Sequence, residues 1–113
     1  MKLKKINVLG TIYTVEQLSK SEDDFLNKCD GYCDNTIKKI VIIKKENDCQ
    51  IQDFERYKRK ILRHEITHAF LFESGLGENM KHAEFGHDEE MVDWFAYQYP
   101  KLKKVFKEME CDE

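Results

Sequence analysis

The chain has 113 residues, a length that suits one domain, residues 1–113, with a modest core. Its 19 basic and 22 acidic residues leave a net charge of −3, which removes the electrostatic footprint of a nucleic-acid-binding protein. No run reaches the roughly 18 apolar residues of a membrane span, and the N-terminus lacks a secretion signal's apolar core and cleavage site. The expected setting is therefore the cytoplasm, with no nucleic-acid and no membrane partner.

Residues 5–18, KINVLGTIYTVEQL, read as two short strands around Gly10, being rich in Ile, Val, Thr and Tyr. The polar stretch 19–30 is a loop or a short helix. Residues 31–45, GYCDNTIKKIVIIKK, predict a hairpin with Asp34 and Asn35 at its turn and residues 37–43 as its second strand. In a reducing compartment the four cysteines are free thiols, and the C-x3-C spacing of Cys29 and Cys33 is a weak zinc-knuckle signal with no second pair behind it. The lysine pairs Lys38-Lys39, Lys44-Lys45 and Lys103-Lys104 flank apolar runs and read as solvated edges.

From Ile51 to about Ser74 the apolar period becomes helical, with Phe54, Tyr57, Ile61, Leu62, Ile66, Ala69 and Phe70 in steps of three and four. Gly75 stands where a C-terminal cap belongs. After a loop, a second helix is expected at DEEMVDWFAYQY, ended by Pro100, and a third at KLKKVFKEM. Strands first and helices after make the fold class α+β. The aromatic residues Trp94, Phe95, Tyr99 and Phe106, with Val105, are read as core at helical spacing.

The first helix carries RHEITH. Four residues turn a helix by about 400°, so His64 and His68 stand on one side, one turn apart, where both imidazoles can hold one tetrahedral ion. Glu65 is rotated by about 100°, so it flanks the ion rather than binding it. There it can take a proton from a water that zinc has acidified to a pKa of about 7, as the H-E-x-x-H pattern requires. The bland alternative, an exposed helix face with two unrelated histidines, is weakened by the apolar residues around the motif, since enclosed polar groups need partners.

A catalytic zinc site needs a third protein ligand and an open position. The extended pattern with a third histidine fails, because Leu71 and Ser74 replace its glycine and histidine. Glu89 and Asp93, four apart on the second helix, offer a ligand and a carboxylate that accepts the N–H of a ligating histidine. Glu90, His82 and His87 stay open as alternatives for the third ligand. Tyr97, Tyr99, His82 and His87 are the candidates for stabilising an oxyanion. The tail MECDE raises one more possibility, a Cys111 thiolate or a carboxylate folding into the site and keeping it latent.

HEITH, a glycine-containing loop and then EEMVD resemble a gluzincin. With GYCD and its following apolar strand, they resemble the small zincin-like proteins of phages and mobile elements in Gram-positive bacteria, related in pattern to the ImmA/IrrE metallopeptidases and minimal gluzincins. The resemblance implies a minimal zincin-like fold: a small twisted N-terminal sheet over the active-site helix, then two C-terminal helices. It implies Zn2+ on His64, His68 and Glu89, with Glu65 as base and Asp93 supporting a ligand. It implies hydrolysis of a peptide bond in a protein or peptide substrate, a regulatory protein among the candidates, held along an edge strand at residues 40–43. Two other readings compete, a binding module that keeps zinc without turnover and a metal-free structural protein.

Overall fold

The computed structural model describes residues 3–75 and 89–113, apart from the side chains of Glu89, Val92, Asp93 and Ala96. Its elements are β1 (Lys4–Val8), β2 (Thr11–Leu18), a 3-10 turn (Asp24–Asn27), β3 (Gly31–Asp34), β4 (Lys39–Ile43), α1 (Phe54–Glu73) and α2 (Glu89–Glu108). The α+β class holds.

Local chemistry accounts for both hairpins. Leu9 and Gly10 both take positive φ, 52° and 95°, the mirror-image turn that matches strand twist, and Asn7 Oδ1 accepts the Gly10 N–H at 2.7 Å. In the β3–β4 turn Asp34 Oδ1 accepts the Thr36 N–H at 3.0 Å, while Lys38 takes a φ of 54°. The second strand therefore starts at Lys39, two residues later than the sequence suggests, and Ile37 is left exposed.

The sheet order is β1-β2-β4-β3, with β2 and β4 parallel and the other two pairs antiparallel. This overturns the expectation that residues 40–43 form an edge. Strand β4 is interior because both of its faces are apolar. Ile40 and Ile42 enter one core with α1, while Val41 and Ile43 enter a second with Leu26 and Phe54. A strand buried on both faces belongs inside a sheet, and β3 becomes the edge beside the helix.

Helix α1 starts at the Asp53 cap, whose carboxylate accepts the Arg56 N–H at 3.1 Å. It ends where Gly75 takes a φ of 84°, a conformation glycine reaches without a Cβ penalty. Ile61, Leu62, Ile66, Ala69 and Phe70 form its buried stripe against Ile6, Val8, Tyr13, Val15, Ile40 and Ile42 of the sheet. Glu73, an acid at the unfavourable end of the helix dipole, is held by Lys38 Nζ at 2.8 Å and Tyr13 Oη at 2.9 Å.

The C-terminal region is one helix, not the two expected. Pro100 lies inside α2, exposed, and the helix runs on for eight more residues. Proline forfeits one backbone hydrogen bond and crowds the preceding turn. That loss is offset because Leu102, Val105 and Met109, beyond it, are anchored in the main core. Trp94 and Phe106 pack on that core as expected, but Phe95 and Tyr99 are exposed. The tail is ordered on α1: Arg63 Nη1 donates to the Cys111 carbonyl at 2.8 Å, and Arg59 Nε to the Glu113 carbonyl at 2.7 Å. Cys111 itself is fully buried in the core, and burial pushes its thiol up to about 11, which removes it as a thiolate for the site. Among the described residues no helix is long and apolar enough to cross a membrane.

Candidate metal centre

The α1 stripe decides where each part of RHEITH points. Ile66, Ala69 and Phe70 are buried, which turns His64 and His68 towards the opposite, open side of the helix. There the two imidazole Nε2 atoms lie 3.1 Å apart, with the rings edge to face and their centroids 4.7 Å apart. Two nitrogens about 2.05 Å from a tetrahedral zinc stand about 3.3 Å from each other. The two rings are within hydrogen-bonding distance of each other, close to the separation that one ion would require. His68 stacks on Phe72, and burial, then the neighbouring His64, hold its pKa below the ordinary value. A depressed pKa keeps the imidazole neutral, the form that ligates.

Both histidines line a cleft of 430 Å³ shared with Arg63, Thr67, Leu71 and Phe106. Thr67 Oγ1 donates back to the Arg63 carbonyl at 2.7 Å, so the hydroxyl on the histidine face is already committed.

Glu65 has a different environment. It is 7% exposed and is the one charged or polar residue counted as buried among the described residues. None of those residues hydrogen-bonds its carboxylate, and desolvation raises its pKa, with His64 opposing the shift. One ligand atom from each of His64, Glu65 and His68 lies within 4.8 Å of the others, a group able to hold a metal ion. An enclosed carboxylate with no partner among the described residues, beside two converging imidazoles, is a donor set that a cation would satisfy.

The edge strand completes this side. Residue Gly31 lies directly over Ile61 and Glu65, and Cys33 faces the same side of the sheet. Burial, then the charge of Glu65, pushes the Cys33 thiol up to about 12, so it stays protonated. Sequence reasoning passed over Gly31, although a glycine within a strand is a recognised sign of close backbone approach.

The remaining predicted residues divide into two groups. Glu89 and Asp93 lie on α2, in the order expected, with their side chains outside the described residues, as are His82 and His87. Glu90 is exposed at the start of α2, and Tyr97 and Tyr99 are also exposed, Tyr97 at 81%. Cys29 and Cys33 are free thiols and belong to no metal-holding group among the described residues. Comparison with protein-family models, with curated proteins and with solved structures finds nothing that matches this chain.

Proposed function

We propose that this chain is a zinc-dependent metallopeptidase of minimal gluzincin type, related in pattern to the ImmA/IrrE and phage-encoded zincin-like proteins. The observation that carries the reading is the placement of His64 and His68 Nε2 3.1 Å apart beside the enclosed carboxylate of Glu65, which has no hydrogen-bond partner among the described residues. Two imidazoles side by side fit zinc, and a purely structural site has no use for a base next to them.

His64 and His68 would hold the ion, with Glu89 from α2 as third ligand and Asp93 accepting a ligand's N–H. Zinc in this position supplies Lewis acidity, lowering the pKa of water to about 7 and polarising a carbonyl. Glu65 takes the proton from the attacking water and delivers it to the leaving amine. Its raised pKa suits both roles, because a base and acid works best when its pKa approaches the working pH.

The substrate side is read from β3. The Ile43 N–H bonds the Asp30 carbonyl at 2.9 Å, which fixes the phase of the β3–β4 ladder. The pairs then alternate, so Tyr32 turns its backbone groups to β4, while Gly31 and Cys33 turn theirs outward. The Gly31 N–H is met by the Cys29 sulfur, and an extended peptide can pair with the Gly31 carbonyl and the Cys33 backbone groups as an added strand and pass beside Glu65. A protein or peptide is the substrate class this edge suits.

Metal content and hydrolysis test the reading together. Protein purified without chelator should hold about one zinc per chain, and with zinc it should cleave members of a mixed peptide library. Glu65→Gln should keep the metal and lose cleavage. Zinc retained by a wild-type chain that cleaves nothing would instead favour the binding module, and no affinity for zinc would end both.

A further inference from the structure

We infer that Gly31 is a positioning residue, whose missing side chain sets the gap between the free edge of β3 and the general base Glu65. The inference rests on the peptidase reading and concerns how the peptide backbone is brought into register with the base.

The geometry at Gly31 is unusually close. A methyl group on its Cα would stand 2.7 Å from Ile61 Cγ2, 3.2 Å from the Val41 carbonyl oxygen and 3.5 Å from Glu65 Cγ. Carbon atoms prefer separations of about 3.5–4.0 Å. A side chain here therefore forces β3 and α1 apart by about 1 Å, or drives Ile61 out of the core. Gly31 lies in a strand and does not take a positive φ, unlike Gly10 and Gly75, so space and not backbone conformation is what demands glycine.

Three observations meet at this contact. Gly31 is one of the two residues whose backbone groups face the free edge. Its Cα lies over Ile61, one turn before Glu65 on the same helix face. The stem of Glu65 is at van der Waals distance from the place where a Cβ would be. The same residue thus touches the strand that would carry the substrate and the side chain that would activate water. Catalytic geometry tolerates little error here, since a misplacement of about 1 Å can cost about 10²-fold in rate. His64 and His68 line the cleft next to Glu65 and are not among the atoms that a side chain at Gly31 would meet, so the two ligating imidazoles do not depend directly on the gap.

The test compares wild type with Gly31→Ala and with the pair Gly31→Ala/Ile61→Leu, in which leucine lacks the β-branch methyl that the alanine would strike. Each is assayed for zinc content, thermal unfolding and steady-state cleavage of a library peptide that the wild type cuts. Binding of that peptide to each variant in the Glu65→Gln background gives a readout without turnover. The expected result for Gly31→Ala is full zinc content, kcat lower by about 10²-fold, and a far smaller change in peptide affinity. The double variant should recover to within a few-fold of wild type, and it supplies the result if the single variant does not fold. Wild-type cleavage matched by Gly31→Ala would overturn this inference alone. So would a folded, zinc-holding double variant that stays about 10²-fold slow, or loss of zinc in step with activity. A zinc-loaded wild type that cuts nothing would overturn the peptidase reading and this inference with it.

Discussion

Helix α1 has two faces that treat polar residues in opposite ways. On one, His64 and His68 line an open cleft and their nitrogens converge with room for an ion. On the other, Glu65 is enclosed between Ile61, Gly31 and the sheet, 7% exposed and without a hydrogen-bond partner among the described residues. Adjacent residues, 100° apart on the helix, thus receive an accessible and a desolvated environment. Ligands need access, whereas a base gains from desolvation because its pKa rises towards neutrality. The contrast follows from one apolar stripe that stops short of the histidines and encloses the glutamate.

Removing a ligand should break the comparison most completely. His68→Ala is expected to lose both zinc and hydrolysis, checked by elemental analysis and peptide cleavage, because one imidazole cannot hold the ion. Retained stoichiometric zinc would show that the open face is not the metal face. Glu65→Gln comes next, with zinc kept and cleavage lower by about 10²–10⁴-fold, the usual worth of a positioned base. Full activity in this variant would assign the base elsewhere.

The stripe that separates the two faces can be tested without any substrate. Leu62→Ala, at a fully buried position, should cost about 2–5 kcal/mol in denaturant unfolding, through lost burial and the cavity left behind. Asp53→Ala, which removes the cap that starts the helix, should cost about 1 kcal/mol.

The smallest effect is in the pH dependence. Hydrogen bonding from Lys38, then from Tyr13, holds the Glu73 carboxyl below its ordinary value. A lowered folded-state pKa contributes stability that is present above the ordinary carboxylate range and lost as pH falls through the lowered value. Melting temperature should therefore fall on acidification, and Glu73→Gln should flatten part of that slope. An unchanged slope would mean that the tie between the end of α1 and the sheet contributes nothing.

The sequence made some features legible because their causes are local. The helix end at Gly75, the two strands around Gly10, and the shared face of His64 and His68 all depend on residues within a turn or two of one another, whereas the helix starts at the Asp53 cap, later than the Ile51 at which the helical period begins. Other expectations failed, some for non-local reasons and some because a local signal was outweighed. Pro100 reads as a helix end, and the anchoring of Leu102, Val105 and Met109 in a distant core is what carries α2 past it. The strand of residues 40–43 was taken for an edge, although its unbroken apolar run already matched an interior strand.

From the amino-acid order alone came the α+β class, the first helix and the spacing of a two-histidine metal site with a glutamate beside it. Helical periodicity fixes these angles before the chain packs against anything. Only the tertiary structure decided that β3 is the edge next to the histidine pair, that Glu65 is enclosed, that Cys111 is locked in the core and that Gly31 packs over Ile61 and Glu65. Each of these depends on segments far apart in the chain meeting at van der Waals distance, a condition that no local pattern encodes.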